Sequence, residues 1–180
     1  MDSKLQIISG IYRGRRLNLP IGARPTQNRA RIALFNILQS LGISPRVVWD
    51  AFAGSGAFGI ECLSRFADAR VVFTDVAPAT VRKNLGLVDA DTRGSVVVAD
   101  AVAAAEKYGA SADLIFLDPP YADGTLGDSV MRRITPIAKT GTVVVWEQEA
   151  GTAHRFDESV WDVLRDRTYG RARFLVLCRK

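Results

Sequence analysis

Five short apolar runs, each closed by an acid, limit what this chain can fold into. They read RVVWD (46–50), RVVFTD (70–75), SVVVAD (95–100), DLIFLD (113–118) and TVVVWEQE (142–149). Between them lie stretches suited to helices, such as AFGIECLSRFA and PATVRKNLGLV. Continuous β-branched runs alternating with helices specify a parallel sheet buried on both faces. The tail, VWDVLRDRTYGRARFLVLCRK, instead offers two strand-like runs around Tyr169-Gly170, which predicts an antiparallel pair at one sheet edge. About ten residues separate Glu149 from that pair, too few for a further full helix. The expectation is an α/β fold with a mostly parallel sheet of seven strands.

Open parallel sheets bind ligands at the carboxyl ends of their strands. Asp50, Asp75, Asp100, Asp118 and Glu147 would share that rim. Any one of them could simply cap the next helix or face water. All five together make an acidic rim, a poor seat for a dianion.

At 180 residues the chain fits one domain with a small appendage. No apolar run approaches the ~20 residues of a membrane span, and MDSKLQIISG lacks the apolar stretch of a signal peptide. A cytoplasmic protein without membrane association is expected. Cys62 and Cys178 sit in apolar contexts without C-x-x-C spacing and read as small reduced hydrophobes. His154 is the single histidine, so no zinc site is expected, and no other metal.

Net charge is +5, unevenly spread. Residues 1–49 hold eight Lys or Arg against Asp2 alone, a balance of +7, while the rest of the chain stands at −2. A basic segment on a near-neutral body is the footprint of a polyanion binder. The boundary predicted is a basic extension over residues 1–45 and a main domain over 46–180. In the extension, LQIISGIYRGRRLNLP reads as two short strands forming a hairpin around Gly10 and Gly14. RPTQNRARIALFNILQSLG then predicts a helix capped by Thr26 or Asn28, with Gly42 as its stop. Arg13, Arg15, Arg16, Arg24, Arg29 and Arg31 are the candidate phosphate contacts. Singly, each could equally be a solvated surface residue.

The loop WDAFAGSGAFGIE places Gly54, Gly56 and Gly59 between a strand and a helix. The spacing G-x-G-x-x-G first suggests a dinucleotide, with Asp75, 21 residues after Gly54, accepting from a ribose hydroxyl. Asp50 opposes that reading. A carboxylate ~4 Å from a phosphate oxygen costs ~1 kcal/mol in water and several times more in a shielded cleft. The same carboxylate favours a cation. S-adenosylmethionine carries a sulfonium and an ammonium and no phosphate, so it suits D-x-F-x-G-x-G better than NAD does. The candidate cofactor residues are therefore Asp50, Phe52, Gly54, Ser55 and Gly56 at the loop, Asp75 at the ribose, Asp100 at the adenine amino group, and Asp118. A structural turn that binds nothing is the remaining alternative.

DPPY follows the fourth run. Pro119 and Pro120 lack N–H groups and fix φ. The Asp118 carboxylate and the Pro119 carbonyl thus become two acceptors at fixed angles, with Tyr121 as a flat face beside them. Two acceptors gripping the hydrogens of a nucleobase amino group help it pyramidalise and aim its lone pair at an electrophilic methyl. Stacking on Tyr121 would hold the ring, a contact worth ~1–3 kcal/mol, and orientation supplies much of the rest. A base in a stem must first be unstacked. Asp118, Pro119, Pro120 and Tyr121 are the candidate catalytic residues.

Taken together, IISGIYRGRRL, RPTQNRARIALFNIL, DAFAGSGAFGIECLSR, Asn84-Leu85, FLDPPY and Tyr169-Gly170 resemble the bacterial RsmD family nearly end to end. The resemblance implies a Rossmann-like class I methyltransferase fold, S-adenosylmethionine as donor and S-adenosylhomocysteine as product. It also implies methylation of the exocyclic N2 of a guanine in 16S ribosomal RNA, on a 30S particle or its assembly intermediate. A monomer is expected. Asn28 and Ile32 stand where the family usually has acids, and Phe66 where glycine is common. Rival readings are a DNA adenine-N6 methyltransferase, for which a 45-residue appendage leaves little recognition surface, a nicotinamide-dependent oxidoreductase, and a non-catalytic RNA-binding assembly factor.

Overall fold

The structure, a computed structural model, describes residues 5–20, 28–90, 92–120, 122–153 and 155–180. Arg24, Thr26, Tyr121 and His154 lie outside the described residues. The elements are α1 (Asn28–Ser40), β1 (Val47–Asp50), α2 (Ala57–Arg65), β2 (Arg70–Asp75), α3 (Ala79–Leu87), β3 (Gly94–Val98), α4 (Ala101–Gly109), β4 (Leu114–Leu117), α5 (Thr125–Ile134), β5 (Val143–Glu149), β6 (Trp161–Tyr169) and β7 (Ala172–Arg179). Seven strands form one sheet in the order β3-β2-β1-β4-β5-β7-β6. The five acid-terminated runs pair in parallel, and β7 pairs antiparallel with both β5 and β6. No helix falls between β5 and β6 among the described residues. Among those residues, too, no helix is long and apolar enough to cross a membrane.

Strand order reverses between β1 and β4, so a crevice opens at their carboxyl ends. Alternation along each strand divides the core in two. Val48, Val71, Phe73, Leu114, Phe116, Val145, Phe174 and Val176 face α1 and α2. Trp49, Ile115, Leu117, Val144, Trp146, Leu175 and Leu177 face α4 and α5. Leu5, Ile7 and Leu17 of the extension, with Leu34, Phe35 and Leu38 of α1, join the first layer. The basic extension therefore shares the core of the sheet.

The expected N-terminal hairpin is present but short: an antiparallel bridge joins Gln6 and Arg16, and Ile7 N–H donates to the Arg15 carbonyl, Gly14 N–H to that of Ile7 and Leu17 N–H to that of Leu5, each at 2.9 Å. A competing acceptor explains this. The N–H groups of Ile8 and Ser9 donate to Glu61 of α2 at 2.8 and 2.9 Å, so they cannot extend a ladder. Ile11 N–H donates to the Ser64 carbonyl and Tyr12 N–H to its hydroxyl, each at 2.9 Å. Gly10 has φ +84° at this contact, and a Cβ there would lie 1.9 Å from the Ser64 carbonyl oxygen. Only glycine fits. Asn28 is the first residue of α1 rather than the residue preceding it. Phe66 is extended, with φ −113°, so the turn after α2 needs no glycine. Arg93 satisfies that helix end, donating to the carbonyls of Leu63, Phe66, Ala67 and Ala69.

Glu61 is fully buried and also accepts from Arg65 Nε at 2.7 Å. Removing it strands two main-chain donors and one cation. Glu61→Ala is expected to cost about 3 kcal/mol, read as a lower urea midpoint, with proteolytic cleavage of the extension preceding that of the sheet.

Candidate functional site

The sheet register brings the acids together. Asp50, Asp118 and Glu147 follow Val48, Phe116 and Val145 by two residues, so all three side chains fall on the α1 face of the sheet. They line one cavity of about 190 Å³ with Arg31, Phe52, Gly54 and Ser55. A second cavity, about 490 Å³, is lined by Asp75, Val76, Asp100, Pro119, Pro120 and Leu126. Phe52, Gly54 and Asp118 border both. A small third pocket of about 50 Å³ lies between Pro119-Pro120 and Trp146–Glu149. Asp118 thus stands where the two larger spaces meet.

The glycine loop is built from strand-end acceptors. Gly54 and Gly56 have φ +53° and +75°. Asp75 fixes the turn, one oxygen accepting from Gly54 N–H at 2.7 Å and the other from Ala77 N–H at 2.8 Å. Each oxygen retains a lone pair for a hydroxyl group. Gly59 is a packing glycine in α2, where a Cβ would lie 2.3 Å from the Phe73 ring. Asn84 of α3, fully buried, holds the loop from the side, donating to the Ser55 carbonyl at 2.7 Å and the Asn18 carbonyl at 3.0 Å. Asp100 is exposed and caps α4 by accepting from Ala103 N–H at 3.0 Å.

Asp50 is the most constrained acid. It is 1% exposed; one oxygen accepts from Gly59 N–H at 3.1 Å and the other has no partner. Burial raises its pKa to about 7, the Gly59 contact opposes the rise, and the charges of Asp118 and Asp75 add to it. Burial also raises Asp118 to about 7. Arg31 faces these acids from α1. Expected among the phosphate contacts, it is instead 5% exposed and turned into the cavity, because it lies on the buried stripe of Leu34, Phe35 and Leu38. One of its nitrogens donates to the Gln6 carbonyl and to Asn28 Oδ1, while Nε and Nη1 have no partner.

An orphaned carboxylate oxygen and two orphaned guanidinium donors in one cavity complement a zwitterion: ammonium at Asp50, carboxylate at Arg31. The neighbouring cavity offers Asp75 and Asp100 to a diol and an amino group. This donor set fits S-adenosylmethionine and opposes a pyrophosphate. Among the described residues, no cluster of His, Cys, Asp or Glu is arranged to hold a metal ion.

The remaining arginines are dispersed. Arg13, Arg15 and Arg16 are exposed. The Arg13 turn lies against the last turn of α2 and Arg93, at the amino ends of the strands. The nine residues of α2 put it ~13 Å from the rim. Arg29, exposed in the first turn of α1, is closer to the cavity. Glu147 and the cavity-facing Arg31 were absent from the cofactor residues expected. A charge at i with apolar residues at i+3, i+4 and i+7 was the available signal for Arg31.

A family profile described as Conserved hypothetical protein 95 matches residues 5–178. The chain belongs to this family. It is 37% identical over 133 residues to ribosomal RNA small subunit methyltransferase D of Escherichia coli, covering 72% of this chain and 66% of that one. The corresponding Buchnera aphidicola protein is 32% identical over 82% of this chain and 77% of its own length. Among solved structures, yhhF from Escherichia coli superposes with a TM-score of 0.81 at 28% identity, over 98% of both chains. Precorrin-6y C5,15-methyltransferase from Geobacter metallireducens superposes with a TM-score of 0.63 at 17% identity over 91% of this chain and 94% of that one, and shares the class I methyltransferase fold.

A carboxyl whose folded pKa is raised contributes stability that is present below its unfolded pKa and lost as pH rises through the folded value. With Asp50 and Asp118 shifted from 3.8 to about 7, the ligand-free protein is expected to lose stability as pH rises from about 4 to about 7. Urea midpoints across that window should flatten in Asp50→Asn; an unaltered profile would show that Asp50 keeps its charge in the fold.

Proposed function

We propose that this chain transfers a methyl group from S-adenosylmethionine to the exocyclic N2 of a guanine in 16S ribosomal RNA, as a cytoplasmic monomer acting on the 30S particle or its assembly intermediate. The observation that carries the reading is the position of Asp118 at the junction of two cavities, one with the orphaned Asp50 and Arg31 groups, the other with Asp75 and Asp100.

The donor supplies an electrophilic methyl on a sulfonium. Asp75 and Asp100 would hold the adenosine hydroxyls and amino group, Asp50 the ammonium, and Arg31 the carboxylate, with Phe52 and Gly54 bordering both cavities. Asp118 and the Pro119 carbonyl accept the two amino hydrogens of the target base, concentrating its nitrogen lone pair toward the methyl. As the C–N bond forms and the S–C bond breaks, the nitrogen gains positive charge and its proton becomes acidic. Asp118, raised to about 7 by burial, can take that proton and pass it to water. Tyr121, next in the chain, would carry the stacking face.

Guanine is favoured over adenine by Glu147. It borders the cavity that holds Asp50 and Arg31 and the separate small pocket beside Pro119-Pro120, one strand from Asp118 on the same face. Guanine offers N1–H beside its N2 amino group, two donors for two carboxylates. Adenine offers a lone pair at N1, which a carboxylate repels.

Labelled methyl incorporation into undermodified 30S subunits, mapped to a nucleotide, tests the reaction. Asp118→Ala is expected to abolish transfer while leaving donor binding by calorimetry largely intact; undiminished transfer would end the assignment. Arg31→Gln is expected to weaken donor binding at least tenfold. Glu147→Gln should lower transfer to guanine while easing the exclusion of adenine, measured with oligoribonucleotides carrying one base or the other.

A further inference from the structure

The turn that carries Arg13 stands at the amino ends of the strands, away from the site, whereas two exposed cations level with the site lie on β6, the outer strand of the sheet. Register aligns Arg167 with Phe174 on β7 and, through it, with Glu147 on β5; Arg165 aligns with Val176 and Val145. Directly paired residues share a face. Arg165 and Arg167 therefore stand on the same face as the cavity containing Asp118, Glu147 and Phe174. From β4 to β6 is three strand spacings, ~14 Å, or about four rises of a stacked single strand and fewer of an extended one.

Both arginines are exposed. Arg165 donates to the Leu164 carbonyl at 2.6 Å and Arg167 to the Asp166 carbonyl at 2.8 Å. Among the described residues, no carboxylate pairs with either. Acids elsewhere on the hairpin are matched. Asp166 projects from the opposite face, where Arg173 grips it at 2.5 and 2.7 Å. Glu149 pairs with Arg171 at 2.5 Å, and Asp162 lies 3.5 Å from Lys180. An outer strand needs charge to avoid pairing with another chain, but charge on either face would serve that purpose. Register puts Glu149 and Asp162 on the cavity face as well, but each already faces a cation of its own, so Arg165 and Arg167 remain there without a carboxylate partner among the described residues.

We infer that Arg165 and Arg167 form a phosphate-binding surface for the RNA strand that carries the target base, holding phosphates a few nucleotides from the one at Asp118. The inference rests on the RNA reading proposed for the site. Half-buried Tyr169, its ring 6.1 Å from that of Phe174, supports the strand between this surface and the cavity.

The test is binding of a fluorescein-labelled single-stranded oligoribonucleotide at several salt concentrations. Arg165→Gln/Arg167→Gln should lower the slope of log affinity against log salt by about 1.4, or ~0.7 for each phosphate no longer neutralised. Donor binding by calorimetry should be unchanged. Arg165→Lys/Arg167→Lys should retain the slope, and Lys107→Gln/Arg132→Gln, in the α4–α5 layer, should leave it unaltered. If wild-type protein binds RNA and the double glutamine variant keeps its slope, the surface is refuted and the RNA reading stands. An equal drop in the α4–α5 variant also refutes it, since the charge would then act without location. Wild-type protein that binds neither this oligonucleotide nor undermodified 30S particles overturns both readings, and where only the particle binds, the same variants are compared on it with the same outcomes.

Discussion

Everything at the rim depends on the cost of keeping carboxylates out of water. Asp50, Asp118 and Glu147 lie at or near the carboxyl ends of three neighbouring strands, and period-two alternation turns all of them under α1. A charged group in that position must find a partner or take up a proton. The fold supplies Asp50 with one main-chain N–H and leaves its second oxygen empty. It also leaves Arg31 with two idle donors nearby. The protein thus holds unsatisfied polar groups of both signs across one cavity, an arrangement stable folds avoid unless a ligand completes it.

Much of this was legible in the sequence because parallel strands have an unambiguous signature. Runs such as RVVFTD and DLIFLD are apolar on both faces, and the acid ending each could only lie at one rim. The doublet around Tyr169-Gly170 likewise announced the antiparallel edge. Gly54, Gly56 and Asp50 were legible because each answers a local demand, left-handed φ or proximity to the loop. Arg31 departs from expectation for the opposite reason. Its charge belongs to a basic segment, while the neighbouring apolar residues decide its phase on α1. Composition reports how much charge a segment carries; periodicity reports where it goes.

The N-terminal hairpin is shorter than the sequence suggests because short ladders compete poorly with a buried carboxylate. Glu61 lies 52 and 53 residues from the N–H groups it accepts, a separation no local pattern reveals. The same holds for Arg93, which closes α2 from the start of another strand. These long-range polar contacts give the extension its path from the amino ends of the strands to the rim, where Leu19 and Pro20 line the cavity.

Asn84 gives that path a further meaning. Its amide grips the Ser55 carbonyl and the Asn18 carbonyl, and its oxygen accepts from Asn18 N–H at 2.8 Å and the Asn18 side chain at 2.9 Å. One buried side chain thus bolts the glycine loop to the strap crossing it. Neither the loop nor residue 18 can shift without breaking or dragging the contacts that hold the other, so the two keep a common position through a single amide.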